Sequence, residues 1–114
     1  MLSHKDRLIL QKIVDYCDQI FQTVERFGAD FDVYSSDFVF RNACSMCILQ
    51  IGELVSKLSD EVIQQNADIP WRGIKATRNI LAHAYNSADL VVIWSTIQKD
   101  IPSLKSKCQR ILTE

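Results

Sequence analysis

The chain has 114 residues, 47% hydrophobic and 24% charged, and its thirteen basic and fourteen acidic side chains leave a formal net charge of −1. This size suits a single domain, residues 1–114, that buries roughly two-thirds of its unfolded surface in one core, and the composition excludes a disordered chain. The charge excludes a generic nucleic-acid binder, whose basic excess releases counterions from phosphates; any RNA contact has to be local or assembled by oligomerisation.

With only three Gly and two Pro, the chain reads as helices. The first segment runs from about Lys5 to Phe27, where Ile9, Ile13, Tyr16, Cys17, Ile20, Val24 and Phe27 recur every three or four residues. Gly28 suits the C′ position that closes it, and Ala29 to Ser36 is expected as a connecting loop. The second segment, about Asp37 to Leu58, carries Phe40, Cys44, Cys47, Ile51, Leu54 and Leu58, widened by Phe38, Ala43, Met46 and Leu49. A helix apolar over so much of its circumference is central to a bundle or shared with a partner, a first sign of a dimer. Ser59-Asp60-Glu61 caps a short helix that fades at Asn66-Ala67-Asp68. Pro70 then stands at or just before the first turn of a third segment, Trp71 to about Tyr85. Asn86-Ser87 interrupts it, and Ser87 or Asp89 caps a fourth segment with the stripe Leu90, Ile93, Ile97, Ile101, Leu104, Cys108 and Ile111. Pro102 inside that run predicts a kink near Lys99–Ile101. The expected fold is all-α: an antiparallel up-and-down bundle of four main helices plus a short one, with no strand.

Met1 to Arg7 is polar and holds no basic-then-apolar leader, and no apolar run is expected to reach the roughly 18–20 residues of a membrane span. Cys17, Cys44, Cys47 and Cys108 fall at apolar positions of helical patterns and read as reduced core residues, which places the protein in the cytoplasm. Cys44 and Cys47 form a C-x-x-C, but mid-helix, with no second ligand pair and no flanking turn, so neither a metal nor a redox role is assigned to it.

The run Arg78-Asn79-Ile80-Leu81-Ala82-His83-Ala84-Tyr85 concentrates more polar chemistry than any other stretch. An always-charged guanidinium, an imidazole and a phenol make a toolkit for phosphate chemistry. On a regular helix, Arg78 and Tyr85 share one stripe, while Asn79 and His83 form an i,i+4 pair in which the amide can orient the imidazole. Ile74, Thr77, Ile80, Leu81 and Ala84 take the opposite, core-facing half. Arg78 and His83 are then about 140° apart, too far to act on one phosphate from a straight helix. Either the helix bends before His83, or the site is composite and a twofold dimer places two Arg and two His around one cleft.

The motif R-x4-H-x-Y from Arg78 to Tyr85, with the polar Asn79 after the arginine, resembles that of the HepT-like toxins of the HEPN ribonuclease superfamily. The likeness extends to Arg41-Asn42, Gln50-Ile51-Gly52-Glu53, Leu58-Ser59, Ile69-Pro70-Trp71, Asp89-Leu90, Val92-Ile93-Trp94 and Ile101-Pro102, in order and approximate spacing. It implies a homodimeric, metal-independent endoribonuclease without cofactor: the toxin of a type II-like toxin–antitoxin pair, cutting tRNA or mRNA in a cleft lined by both protomers. It further implies Arg78 and His83 as the catalytic pair and a cyclic phosphate product end. Its partner would be a minimal nucleotidyltransferase antitoxin that transfers AMP to Tyr85. Lys75-Ala76-Thr77 is more polar than the family pattern suggests. Glu53 is expected near the cleft, supporting Arg78 or Asn79, because buried polar groups need partners. The alternative is a non-catalytic helical module whose groove binds a nucleotide or docks a partner; the slightly acidic charge leans that way. His4 reads as solvated, Trp71 and Trp94 as packing residues, and Lys105, Lys107 and Arg110 as charges complementing a helix C-terminus.

Overall fold

The computed structural model describes residues 2–83 and 85–114. They form an all-α bundle of α1 (His4–Phe27), α2 (Phe31–Ser36), α3 (Phe38–Ser56), α4 (Asp60–Gln65), α5 (Trp71–Ala82), α6 (Ser87–Ser95) and α7 (Ile101–Thr113), with a π-helical turn, Thr96–Asp100, joining the last two. No strand occurs among the described residues.

Contacts at both ends of each pair make the helices antiparallel. Phe27 at the end of α1 stacks on Phe40 at the start of α3, with centroids 4.9 Å apart. At the other end, the Asp6 carboxylate accepts the Ser59 backbone N–H at 3.0 Å and its hydroxyl at 2.7 Å. Similarly, α7 runs back along α1: Lys105 pairs with Asp18, and Arg7 donates to the Leu112 carbonyl at 3.1 Å. The core between them is aliphatic, with Leu10, Ile13, Ile20, Ile48, Ile51, Ile74, Ile93, Ile101 and Leu104 fully buried.

The segment Ala29 to Ser36, expected as a loop, contains α2. Asp30 caps it by accepting the Asp32 and Val33 N–H groups, and seven residues later Asp37 caps α3 in the same way. Six residues are too few to show a periodicity, so the paired aspartate caps were the readable signal. The short helix plugs one end of the bundle with Tyr34, whose ring packs 5.1 Å from Phe40 and 5.0 Å from Trp94. Gly28, at φ 102°, makes the turn that admits it.

The kink expected at Pro102 takes a particular form. A proline ring clashes with the carbonyl four residues back and offers no N–H. The helix widens just upstream, and the Ile101 N–H donates to Thr96 O, five residues back. Inside this wider turn Thr96 Oγ1 lies 2.7 Å from Thr77 Oγ1 of α5, a buried hydroxyl pair.

Helix α3, the bundle's central helix, is 19 residues long and, by length and composition alone, apolar enough to cross a membrane. The expectation that no run reaches that length therefore meets one exception, but Phe40, Cys44, Ile48, Ile51 and Val55 on it are buried in the bundle. Phe38, Val39 and Met46 on the same helix remain exposed. The four cysteines are free and buried, and burial pushes the thiols up, Cys44 and Cys108 to about 12.

Asp6 staples α1 to the cap of α4. Burial pushes its carboxyl up, but hydrogen bonds from the Ser59 hydroxyl and amide, with Ser3 and Lys5 adding, outweigh burial and hold it below the ordinary aspartate value. A lowered folded value means that the stabilisation is whole above the unfolded pKa and is lost as pH falls through the folded one. Asp6→Asn should therefore cost about 1–3 kcal/mol at neutral pH. In denaturant titrations its deficit should shrink below about pH 4; an undiminished deficit in acid would show that the carboxylate's charge is irrelevant.

Candidate active site

Helix α5 carries the polar motif, and its start is held firmly. The buried Trp71 indole donates to the Asn66 carbonyl at 3.0 Å, next to Pro70. Ile74, Thr77 and Leu81 turn into the bundle. Lys75, Asn79 and Ala82 are exposed and Arg78 is half-buried, so the division into an apolar and a polar half holds as far as Ala82.

Beyond Ala82 the helix stops, where a continuation to Tyr85 was expected. His83 is extended, at φ −114° and ψ 168°, and its backbone N–H donates to Ile80 O at 3.3 Å. A new helix starts just downstream. Asn86 caps α6, accepting the Ala88 and Asp89 N–H groups, while the Asp89 carboxylate accepts the Asn86 N–H, a reciprocal capping box. An N-cap residue itself takes non-helical backbone, so α5 cannot continue into α6 and has to end before Asn86. The cap of α6 is thus Asn86, with Asp89 in support, rather than Ser87 or Asp89 alone. Two expectations fall with the helix: Asn79 and His83 are not an i,i+4 pair, and Arg78 and Tyr85 do not share a helical stripe. Ala84 lies outside the described residues.

Arg78 is held by α3. A Cβ placed on Gly52 would lie 2.6 Å from Arg78 Cβ and closer still to its Cγ, so only glycine leaves room for the side chain. The arginine stem runs across that gap to the neighbouring residue, where Glu53 Oε1 accepts from Arg78 Nη2. Asn79 Oδ1 accepts from Arg78 Nη1 at 3.2 Å. A guanidinium has five N–H donors, so three remain without a protein acceptor among the described residues. Arg78 lines a groove of about 410 Å³ between α3 and α5, together with Gly52, Glu53, Ser56, Lys75 and Asn79. Donors fixed in place beside open space suit an anionic oxygen.

The groove brings together three of the five residues singled out from the sequence: Arg78, Asn79 and Glu53. His83 is exposed at the helix end, and neither it nor Tyr85 lines the groove. Tyr85 is half-buried and packs against the core. Nearby, the Tyr34 hydroxyl is buried and has no hydrogen-bond partner among the described residues, and burial pushes it upward. Sequence reasoning missed Lys75 as a groove residue, although its place one turn before Arg78 on the same helix was visible. Among the described residues no three of His, Cys, Asp and Glu are grouped to hold a metal ion.

Comparison with known proteins identifies the family. The family model for HepT-like ribonucleases matches residues 13–111, which span α1 through α7 and the whole groove. The chain belongs to the HepT-like ribonuclease family. Among its relatives, a candidate RNase of Caldanaerobacter subterraneus is 31% identical over 106 residues, covering 93% of each chain. A probable ribonuclease HepT of Thermococcus cleftensis is 32% identical over 111 residues, covering 96% of each. A candidate RNase of Methanocaldococcus jannaschii is 24% identical over 108 residues, covering 95% of this chain and 91% of its own. No solved structure matches the chain. Family and relatives together make this HepT-like protein a ribonuclease with RNA as its substrate.

The Gly52–Arg78 contact is directly testable. Gly52→Ala puts a methyl group where the arginine stem lies; it should cost about 1–3 kcal/mol through overpacking and slow RNA cleavage by at least about tenfold through the displaced guanidinium. Circular dichroism and a cleavage assay on the same preparation separate the two effects. Unchanged cleavage would mean that the position of Arg78 does not matter.

Proposed function

We propose that the protein is the toxin of a toxin–antitoxin pair, a metal-independent endoribonuclease acting in the cytoplasm as a homodimer, with Arg78 and His83 as its catalytic residues. The single observation that carries this reading is the arginine of the R-x4-H-x-Y motif, held over Gly52 by Glu53 and Asn79 with donors left to spare. In the proposed reaction His83 accepts the proton of a ribose 2′-hydroxyl as its oxygen attacks the adjacent phosphorus. The bond from phosphorus to the 5′-oxygen breaks, that oxygen takes up a proton, and a cyclic phosphate remains. Arg78 stabilises the charge on the non-bridging oxygens. Glu53 and Asn79 are positioning residues that hold the guanidinium.

The dimer answers a geometric need. His83 stands outside the groove that Arg78 borders, so two copies sharing one cleft supply both groups to one phosphate. Exposed Phe38, Val39 and Met46 on α3, with Val91 and Val92 on α6, are apolar surface suited to such a contact. Regulation follows from Tyr85: a minimal nucleotidyltransferase antitoxin would transfer AMP from ATP to its phenolic oxygen, releasing pyrophosphate, and the added nucleotide would compete with RNA for Arg78.

Purified, unmodified protein should cleave RNA in the presence of a chelator and leave cyclic phosphate and 5′-hydroxyl ends. Arg78→Ala and His83→Ala should each lower the rate by about a hundredfold or more. Wild type without cleavage, or both variants at full rate, would reject the catalytic reading in favour of a binding module. After co-expression with the nucleotidyltransferase, mass spectrometry should find AMP on Tyr85 and none on Tyr85→Phe; AMP confined to another residue would reassign the switch.

A further inference from the structure

Lys75 and Ser56 are the groove residues for which the proposed chemistry has no use; the Ser56 hydroxyl donates to the Glu53 carbonyl, and Lys75 carries a charge. It lines the same space as Arg78 and stands three residues before it on α5, one helical turn away and about 4.5 Å along the axis. Lys105 pairs with Asp18, and Lys107 and Arg110 with Asp68, at sites away from the groove. Lys75 forms no such pair among the described residues. Within the groove Glu53 offsets the charge of Arg78, so Lys75 alone gives the lining a positive surplus. In a chain of net charge −1, that surplus is a local attraction for a polyanion which the chain as a whole does not offer.

We propose that Lys75 is a second phosphate-binding residue of this groove, holding the phosphodiester next to the one at Arg78. The inference rests on the ribonuclease reading above and narrows its substrate: an RNA strand with at least one further phosphate beside the scissile one, in preference to a dinucleotide. A lysine suits that place because its flexible stem carries a point charge that follows a moving backbone phosphate without fixing its geometry. The rigid fork of Arg78 is kept for the reacting phosphate.

Two measurements on the full-length, unmodified protein test this. The first is binding of a 2′-O-methyl RNA of about ten nucleotides, which lacks the attacking hydroxyl, followed by fluorescence anisotropy across a salt series. Lys75→Gln should weaken binding and make the slope of log affinity against log salt shallower by about 0.7, one released counterion on a single strand; Lys75→Arg should restore both. The second compares cleavage of a matching RNA strand with cleavage of a dinucleotide. Lys75→Gln should raise KM for the strand several-fold, more than for the dinucleotide, and leave kcat for the strand largely in place. An unaltered salt slope, equal losses on both substrates, or no restoration by arginine would overturn the proposal. If wild type cleaves neither substrate, the ribonuclease reading falls, while the salt slope still decides whether Lys75 meets a phosphate.

Discussion

The site depends on one steric fact, the missing side chain at Gly52. Helix α3 buries Phe40, Cys44, Ile48, Ile51 and Val55 on one side, and it receives the stem of Arg78 where Gly52 has no Cβ. A guanidinium on a flexible stem normally samples many rotamers, at an entropic cost whenever it is fixed for use. Here folding meets that cost in advance: the stem lies across α3, and Glu53 and Asn79 take two of the five donors. The other three have no acceptor among the described residues, and Arg78 lines the groove. Glu53 thus has two opposed effects, since it orients the arginine and also screens its charge. The free lysine one turn away offsets the second effect without disturbing the first.

The rest of the bundle serves to place α5. Trp71 and Pro70 fix its start, Ile74 and Leu81 bury its inner face, and the Thr77–Thr96 hydroxyl pair ties it to the π-helical turn. That turn exists because Pro102 cannot continue a regular helix, so a proline far along the chain reaches the site through the register of α5. At its other end α5 stops at Ala82, short of the Asn86–Asp89 capping box that opens α6, and His83 lies outside the helix. Arg78 belongs to a rigid helix, whereas His83 belongs to a connection. Two groups mounted so differently, and not sharing one groove, are what make a second protomer a natural complement in the proposed mechanism.

Much of this was legible in the sequence, and the failures have physical causes. Long apolar stripes marked α1, α3, α5 and α7 because burying one helix face requires a 3.6-residue period. Arg78 stood out as a cation on a polar face, and Glu53 was expected beside Arg78 or Asn79 because buried polar groups need partners; the contact with Arg78 is present, although both side chains stay partly exposed. Helix α2 was missed because six residues show no period; the caps at Asp30 and Asp37 were its only local mark. His83 was drawn inside α5 because Arg78 to Tyr85 contains no glycine or proline to stop a helix. The capping box at Asn86 sets only the outer limit of α5, and a periodicity read from one side does not show where within that limit the helix ends. Lys75 went unassigned because a lysine on an exposed helix face is ordinary until the opposite wall of the groove is known.

The central claim is that Glu53 and Arg78 act as one unit that presents a guanidinium to phosphate. A double-mutant cycle on kcat/KM for RNA cleavage tests it most directly, with Glu53→Gln, Arg78→Lys and the double variant compared in one assay. If the pair works as a unit, the two losses should be far from additive, with a coupling of about 1 kcal/mol or more. Losses that add to within about 0.5 kcal/mol would show that Glu53 touches Arg78 without governing it, and would contradict the claim.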